Sequence, residues 1–405
     1  MEDWKEYKLG DIGTIVGGAT PSTKDSSNYD GNIAWITPKD LSNLNCRYIS
    51  HGERMISQKG FDDCSCRMLP KNSILFSSRA PIGYVAIAQN ALCTNQGFKS
   101  IIPNNEIVDS LFLYYLLVYY KPVIENMGSG TTFKEVSGSV MKALTVNIPN
   151  IDKQKRIAAI LSSLDDKIEL NSRINRNLEQ QAQALFKAWF VDFEPFKDGK
   201  FVDSELGRIP EGWNIVEANH FMTISKDSIN PTKNPMCLYT HYSIPAFDEA
   251  LTPEIQFGHK IKSNKFLVRS GMTLFSKLNP RIKRIWFINE ASDNSICSTE
   301  FIPYESLGQN CYFLYCYLNS SMFYSQAMSL VNGATGSHQR FSPNETLKFL
   351  FAYKKEIVEE FNVLVAPTLK EMSELSLETR KISKLRDTLL PRLMSGELNI
   401  NTITE

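Results

Sequence analysis

The chain has 405 residues, enough for two or three domains, and its apolar fraction of 42% and charged fraction of 22% are ordinary for a globular protein. The 44 Lys and Arg residues balance the 44 Asp and Glu residues, which excludes nucleic-acid binding through total charge and leaves only local basic patches for it. The N-terminus lacks the apolar segment of a signal peptide, and the apolar run at 111–120 is too short to span a bilayer. We therefore expect a cytoplasmic protein with reduced thiols.

Residues 1–150 form the first predicted domain, because short β-like segments alternate there with Gly, Pro, Asn and Asp. The predicted strands cover residues 4–9, 12–16, 33–37, 73–77, 83–88, 99–102 and 144–148. One buried helix is predicted over 111–120, and a Gly-rich loop, Gly128-Ser-Gly-Thr, follows it. This pattern indicates a mixed, β-rich globule.

The segment 151–195 is predicted to be one long helix. From 153 to 190 it contains neither Pro nor Gly, and apolar residues return at steps of four and three. This seam consists of Ile157, Leu161, Leu164, Ile168, Leu178, Leu185 and Trp189. Asn171 and Asn175 fall on the seam. So narrow an apolar stripe on so long a helix requires a partner helix.

Residues 196–353 contain a polar connector and a second domain, whose motifs repeat those of the first in the same order. The pairs are Trp4-Lys-Glu-Tyr-Lys-Leu with Trp213-Asn-Ile-Val-Glu, Ile74-Leu-Phe-Ser-Ser with Thr273-Leu-Phe-Ser-Lys, Thr94-Asn-Gln-Gly-Phe with Cys297-Ser-Thr-Glu-Phe, and Gly128-Ser-Gly-Thr with Gly333-Ala-Thr-Gly. Their offsets drift only between about 199 and 209 residues. An ordered series of this kind indicates a duplicated unit.

Residues 354–405 are predicted to be a second long helix with a C-terminal tail. Moving the first seam by 204 residues places it mostly on apolar positions. The apolar positions are Phe361, Val365, Met372, Leu375, Ile382, Leu389 and Leu393. Any two amphipathic helices can be aligned in this way, but the ordered motifs of the two domains favour an internal two-fold repeat. The partner of the first helix is then in the same chain.

The sequence lacks the familiar motifs for catalysis and cofactor binding. The sequence has no methyltransferase tetrad of the Asn-Pro-Pro-Tyr type, no Gly-x-Ser-x-Gly and no His-Glu-x-x-His. The Gly-rich segment 13–18 is followed by Ala19 and Thr20 instead of the Lys and Ser of a phosphate-binding loop. Cys64 and Cys66 lack ordinary zinc spacing. We expect no catalytic residue and no metal site.

Candidate binding residues come first from a basic run. Residues 260–284 contain eight Lys and Arg and no acid, a pattern suited to phosphate contacts. The candidates in this run are Lys277, Asn279, Arg281, Lys283 and Arg284, and Arg79 belongs to a thinner set in the first domain. The alternative is a pair of solvated basic strands.

The Gly-rich loops supply further candidates, namely Lys134, Gln339 and Arg340. Arg can read guanine and Gln can read adenine through paired hydrogen bonds. Gln96 and Glu300 flank Phe98 and Phe301 in the matching motifs of the two domains. The alternatives are tight turns beside the helices and a structural role for Gln96.

Several motifs along the whole chain carry a resemblance to a known family. They are Trp4-Lys-Glu-Tyr-Lys-Leu-Gly-Asp-Ile, Thr94-Asn-Gln-Gly-Phe, Gln154-Lys-Arg-Ile-Ala-Ala-Ile-Leu, Asp165-Asp-Lys-Ile-Glu-Leu-Asn, Phe186-Lys-Ala-Trp-Phe-Val-Asp-Phe and Leu389-Leu-Pro-Arg-Leu-Met-Ser-Gly-Glu-Leu. As an ordered set they resemble the specificity subunit of type I restriction-modification systems. In one departure, the second helix opens with Lys354-Lys-Glu-Ile-Val-Glu-Glu, so the resemblance does not imply equal docking ends.

The resemblance implies an α+β fold, in which two β-rich target recognition domains are separated by two long antiparallel coiled-coil helices. Each domain would read one half of a split double-stranded DNA sequence. Two modification subunits, which bring S-adenosylmethionine, would dock mainly on the helices, and restriction subunits would add ATP-driven cleavage. This chain would bind no cofactor and would not be an enzyme. The alternative from another class is a non-catalytic protein-binding scaffold that dimerises through its helices.

Overall fold

The computed structural model describes residues 4–42, 44–79, 81–130, 134–331 and 339–398. These residues divide into two compact units. The first unit contains the described residues up to Leu170 and from Lys381 onward, and the second contains those from Asn171 to Arg380. Each unit therefore holds one β-rich globule and part of each long helix. The domains predicted from sequence are bounded by the ends of helices and connectors, whereas these two units are defined by contacts within the fold. The predicted domain boundaries therefore stay a prediction.

The first globule is built on a five-stranded sheet. The strands of the whole globule are β1 (Lys5–Lys8), β2 (Gly13–Gly17), β3 (Tyr29–Ile36), β4 (Tyr48–Ile49), β5 (Met55–Ile56), β6 (Ile74–Ser78), β7 (Ile82–Ala88), β8 (Cys93–Thr94), β9 (Lys99–Pro103) and β10 (Thr145–Ile148). Its helices are α1 (Leu9–Ile12), α2 (Pro38–Ser42), α3 (Gln58–Asp62), α4 (Ser110–Asn126) and α5 (Gly138–Ala143). The main sheet has the order β2-β9-β6-β7-β4, a second has the order β5-β3-β8, and β1 pairs with β10.

The predicted strands of this globule correspond to β1, β2, β3, β6, β7, β9 and β10, and the predicted helix corresponds to α4. The structure adds β4, β5 and β8, each of two residues. Strands this short show no alternation of apolar and polar residues, which is why sequence patterns missed them.

The first long helix, α6 (Ile151–Phe190), leads to the second globule. The strands there are β11 (Phe201–Ser204), β12 (Gly207–Pro210), β13 (Asn214–Glu217), β14 (Met222–Ile224), β15 (Ser228–Ile229), β16 (Leu238–Tyr242), β17 (Glu254–Phe257), β18 (Lys265–Leu267), β19 (Thr273–Ser276), β20 (Ile285–Phe287), β21 (Ser295–Cys297), β22 (Phe301–Ser306) and β23 (Leu350–Tyr353). Its helices are α7 (Ile244–Ala250), α8 (Cys311–Asn319) and α9 (Ser321–Ser329).

The two globules share one strand order. The order β2-β9-β6-β7 in the first corresponds to β14-β22-β19-β20 in the second, and β5-β3-β8 corresponds to β17-β16-β21. In each three-strand set the middle strand is antiparallel to the first and parallel to the last. β13 pairs with β23 as β1 pairs with β10. This common topology confirms the internal repeat.

The second long helix is α10 (Lys355–Met394). Lys355 follows Ile151 by 204 positions and Met394 follows Phe190 by the same number, so the offset of the seam is also the offset of the helices. Within the second unit Asn171 bonds to Thr379 and Asn175 bonds to Ser376, so the partner number falls as the α6 number rises. The helices are therefore antiparallel, as the resemblance implied.

The seam residues differ in burial. Ile157, Leu161, Phe361, Val365, Leu375 and Leu393 are buried, whereas Leu164, Ile168, Leu178, Leu185, Trp189, Met372, Ile382 and Leu389 are half-buried. Near the end of α6 the buried aromatic residues lie one position after the seam residues Leu185 and Trp189, at Phe186 and Phe190. Their rings contact Phe313 of α8 at centroid distances of 5.9 and 5.2 Å. This part of α6 buries the face turned toward the globule as well as the face turned toward α10.

Buried polar groups fix the helices in the first unit. The Asp165 carboxylate of α6 accepts a hydrogen bond from the Tyr115 hydroxyl of α4 at 2.6 Å and pairs with Arg386 of α10 at 2.7 Å. The guanidinium of Arg47 pairs with Asp166 and Glu169 of α6. These contacts join one loop and three helices, because each buried charge must find a partner.

Candidate nucleic-acid interface

The candidate residues of the first unit lie near the end of β6. The Ser78 amide donates to the Gly97 carbonyl at 2.7 Å, and the Ser78 carbonyl accepts from the Val136 amide at 3.0 Å. Arg79 forms an isolated antiparallel bridge with Glu135. The structure thereby brings Arg79, the turn with Gln96 and the segment with Lys134 together where the strand β6 ends, although they are far apart in sequence. This end of the strands is called the sheet edge below.

The side chains at this edge include both charges and an amide. The Glu135 carboxylate lies 3.2 Å from the Lys99 ammonium and 3.8 Å from the Arg79 guanidinium. Gln96 is exposed and its side-chain oxygen accepts a hydrogen bond from the Thr20 hydroxyl. Lys134 is exposed. Lys99 and Thr20 were not predicted. Lys99 lies outside any basic run, and Thr20, next to the Gly-rich segment 13–18, was considered only as part of a phosphate-binding loop.

The two flanks of the Gly-rich loop of the first unit pair with each other. The amide and carbonyl of Ser129 exchange hydrogen bonds with those of Glu135 at 3.1 and 2.9 Å. Residues 131–133 lie outside the described part of the chain, so the tight turn stays an untested alternative. The corresponding loop Gly333-Ala-Thr-Gly also lies outside the described residues.

The second unit forms the same edge at the end of β19. The Lys277 amide donates to the Glu300 carbonyl at 2.9 Å, in the position of the Ser78 bond to Gly97. The Asn279 amide donates to the Gln339 carbonyl at 3.1 Å. Asn279 has a positive φ of 45°, a conformation that Asn tolerates better than most residues. Lys277, Asn279, Gln339 and Arg340 are thus brought together as their counterparts are in the first unit.

Arg340 makes the strongest contact at this second edge. Its guanidinium binds both oxygens of the Glu300 carboxylate, at 2.8 and 3.0 Å. The guanidinium remains about half exposed, at 48%. A paired Arg of this kind has a fixed orientation and keeps donors free for a phosphate or a base edge.

The basic run 260–284 does not act as one surface, because its members differ in surroundings. Arg284 is 7% exposed, and its guanidinium binds both oxygens of Asp248 at 2.6 and 2.7 Å. The Lys283 ammonium donates to the Asn319 carbonyl at 2.6 Å, and burial lowers the pKa of that ammonium. Arg269 is held by Asp227 and Glu305. Arg281 is exposed, and within the described part of the chain it has no ion-pair partner.

This placement separates the predicted cations into two kinds. The burial and the ion pair of Arg284 give it a structural role in the hairpin between β19 and β20, against the phosphate contact expected from sequence. Arg281, Lys277 and Arg340 remain accessible at the same edge. A run of like charges in sequence cannot show which members meet acids from elsewhere in the fold.

Among the described residues, no group of three or more His, Cys, Asp and Glu side chains is arranged to hold a metal ion. The same part of the chain contains no helix both long enough and apolar enough to cross a membrane.

The known proteins that this chain resembles in sequence are all of one kind. The family described as the type I restriction modification DNA specificity domain matches residues 1–180. The type I restriction enzyme MjaIX specificity subunit of Methanocaldococcus jannaschii is 34% identical, over 99% of this chain and 95% of the relative. The HindI specificity subunit of Haemophilus influenzae is 27% identical, over 98% of this chain and all of the relative.

One solved structure supports the fold. The crystal structure of the S subunit of a type I restriction-modification system from M. genitalium matches with a TM-score of 0.58, over 96% of both chains. The identity is 15%, so this likeness concerns the architecture alone.

Proposed function

The chain belongs to the family of specificity subunits of type I restriction-modification systems, and we propose that it reads a bipartite DNA target, with one half-sequence bound by each unit. The observation that carries this proposal is the repeated sheet edge. In both units, polar and cationic residues from distant segments meet where β6 or β19 ends. Two similar edges with different side chains suit the reading of two different half-sequences.

The local charges at these edges support contact with DNA despite the neutral chain. Arg79, Lys99 and Lys134 accompany one acid, Glu135, in the first unit. Lys277, Arg281 and Arg340 accompany Glu300 in the second. Accessible cations provide phosphate contacts, which set affinity and its salt dependence, while Gln96, Gln339 and Arg340 have the donors and acceptors that read bases.

The long helices supply the second part of the proposal. They would hold the two β-rich globules at a fixed separation. They would also present an outer face to two modification subunits and to restriction subunits. A 40-residue helix is about 60 Å long, and half-sites on one DNA face lie about 34 Å apart, so the scales are compatible. Val363 and Leu364 of α10 are 72% and 50% exposed, which suits a protein-binding face.

We propose that this chain is a non-catalytic subunit. S-adenosylmethionine and ATP would be bound by the modification and restriction subunits, because this sequence contains no motif for either. A role on chromosomal DNA would place the complex in the cytoplasm.

The test is to map methylated adenines in host DNA with the gene intact, deleted and substituted. Gln96→Ala should alter one half of the methylated motif and Arg340→Ala the other half. Gln58→Ala and Lys348→Ala are matched controls, since both side chains are exposed and pair within their own helical turns. Methylation that persists unchanged after deletion of the gene would refute the proposal and favour a scaffold.

A further inference from the structure

The second unit contains a cavity of about 260 Å³, lined mainly by residues of β20, of the loop after it and of α10. Trp286 and Phe287 of β20 and Met372 of α10 form part of its apolar wall. The charged residues that line it are Glu290, Glu374 and Arg380. The cavity therefore combines an apolar surface with a few charged groups, as sites for small organic molecules do.

The charge of Arg380 has no partner in this cavity. Within the described part of the chain its guanidinium makes neither a hydrogen bond nor an ion pair, and its Nε is buried. Glu290 and Glu374 line the same cavity, but among the described residues neither forms an ion pair with Arg380. Burial lowers the pKa of Arg380, because the charged form loses hydration.

The other arginines that are shielded from solvent show how this fold treats such a cation. In the described residues each of them pairs with an Asp or a Glu, and they are Arg47, Arg79, Arg284 and Arg386. Arg380 is the exception in that part of the chain. An unpaired cation withdrawn from water destabilises a fold. The missing anion is therefore expected to come from outside the chain.

We propose that this cavity binds a small organic carboxylate, with its carboxyl group on Arg380 and its apolar body against Trp286 and Phe287. A guanidinium presents pairs of N–H groups at the spacing of the two carboxylate oxygens. Since the Nε of Arg380 is buried, its two terminal nitrogens are the donors that such a ligand reaches. The bound carboxylate supplies the counter-ion that the chain itself lacks.

The charge and size of the cavity narrow the class of ligand. Glu290 and Glu374 are exposed and negative on its wall, so a doubly charged phosphate meets more repulsion there than a singly charged carboxylate. The apolar wall favours a carboxylate with a ring or a branched chain over acetate. A volume of about 260 Å³ lies just below the range of pockets for drug-sized molecules, which limits the ligand to about one ring.

The site belongs to α10 and not to its repeat counterpart. The offset of 204 residues between the two long helices places Arg176 of α6 at the position of Arg380. Arg176 is exposed, so water solvates its charge. Arg176 is therefore a matched control for Arg380, because it has the same residue type at the same place in the repeat.

The experiment uses the full chain and benzoate as the probe. Three related compounds are controls: benzamide is neutral with nearly the same shape, phenyl phosphate carries a doubly charged head group on the same ring, and acetate lacks the ring. Benzoate should raise the melting temperature with increasing concentration, and more than any control at equal concentration. Isothermal titration calorimetry should show benzoate binding about tenfold more tightly than benzamide, as expected for hydrogen bonds between charged groups.

The variant Arg380→Gln separates binding from stability. It should weaken benzoate binding by about tenfold or more. It should also raise the melting temperature of the ligand-free chain, because it removes an unpaired and shielded cation. A residue that only supports the fold would not combine these two effects. Arg176→Gln should change neither the binding of benzoate nor the melting temperature.

Three results would overturn the proposal. The first is a melting temperature that benzoate leaves unchanged. The second is binding of benzamide or phenyl phosphate as tight as that of benzoate, since the charge assigned to the ligand would then be wrong. The third is an Arg380→Gln variant that binds benzoate as the unmodified chain does. The first two results come from the unmodified chain, so they do not depend on how any variant folds.

Discussion

At the scale of single residues, the hairpin between β19 and β20 contains two arginines in different surroundings. Arg281 is exposed and, in the described part of the chain, lacks an ion-pair partner, whereas Arg284 is 7% exposed and bound by Asp248. A phosphate contact needs an accessible cation. Removal of one partner of a buried ion pair strongly destabilises the folded protein. The two residues should therefore respond oppositely in binding and stability.

Arg281→Ala should weaken DNA binding about equally for all sequences and reduce the slope of log affinity against log salt by about one. The thermal stability of the Arg281→Ala variant should stay unchanged. Arg284→Ala should lower the free energy of unfolding by about 2 kcal/mol, because Asp248 loses two charge-assisted hydrogen bonds. Salt titrations of binding and thermal denaturation measure both effects. An effect of Arg281→Ala confined to one base position would contradict the phosphate role.

His241 of β16 is a residue whose protonation opposes folding. Burial, and after it the nearby positive charge of Lys265, lowers the pKa of His241 to about 4, while Glu254 stands opposite it on β17. The unfolded chain binds the proton near pH 6.5, so between pH 6.5 and 4 the unfolded state binds more protons. The contribution of His241 to stability is complete above pH 6.5 and is lost as the pH falls toward 4.

His241→Gln should therefore flatten the decline in melting temperature between pH 6.5 and 4, relative to the unmodified chain. The difference between the two proteins isolates His241 from the carboxylates that titrate in the same range. Differential scanning calorimetry at half-unit pH steps provides the measurement. Parallel curves for the two proteins would show that His241 is not protonated on unfolding.

At the scale of elements, Asp165 links α4, α6 and α10 of the first unit. Its side chain is 7% exposed, and it accepts from Tyr115 and pairs with Arg386. Asp387 also pairs with Arg386, at 2.8 Å, but its side chain is 63% exposed. Both carboxylates contact one guanidinium, so they form a matched pair that differs in burial.

Asp165→Ala should lower the free energy of unfolding by about 3 kcal/mol, since it leaves the buried Tyr115 hydroxyl without its acceptor and removes the buried partner of the half-buried Arg386 guanidinium. Asp387→Ala should cost below about 1 kcal/mol, because an exposed ion pair contributes little. Denaturant unfolding of the full chain measures both values. Equal losses would mean that burial does not determine the strength of these contacts.

The two seam asparagines are a second feature of element scale. Asn171 donates to Glu378 at 2.7 Å and Asn175 donates to Ser376 at 3.0 Å. The side-chain carbonyl oxygens of both are buried without a hydrogen-bond partner in the described residues. Polar residues on a seam fix the register of two helices at some cost in stability.

Replacing both asparagines with Leu should raise the melting temperature and blur the choice of spacer length in the methylated motif. Asn175→Leu alone should stabilise more than Asn171→Leu, because Asn171 also gives up a bond to a carboxylate. Thermal denaturation ranks the variants. A lower melting temperature in the double variant would show that these amide bonds outweigh the unpaired oxygens.

At the scale of the whole molecule, helix length is expected to set the distance between the two half-sequences. Four residues added to α6 next to Asn171, with four added to α10 next to Arg380, lengthen each helix by about 6 Å. The spacer should then grow by about two base pairs at about 3.4 Å each. Sequencing of methylated adenines reports the new spacer, and Ala substitution of four exposed positions at the same places is the control. An unchanged spacer would refute the idea.

The sequence by itself determined the two long helices, the longer strands of the first globule and the repeat. The helix seam, the offset of 204 residues and the order of the motifs all follow from local periodicity and chain order, and the structure reproduces them in α6, α10 and the common strand order. Seven strands of the first globule were predicted for the same reason, since alternation along a strand is a local property.

Tertiary structure alone decided which side chains meet. It buries Phe186 and Phe190 in place of a strict seam, gives Arg284 a carboxylate, and collects Cys64, Cys66 and Cys93 in one core. It also brings Arg79, Gln96 and Lys134 to one edge, and Lys277, Gln339 and Arg340 to the corresponding one. The physical reason is that pairing and burial depend on segments that lie tens to hundreds of residues apart, whereas periodicity depends on neighbours in the chain.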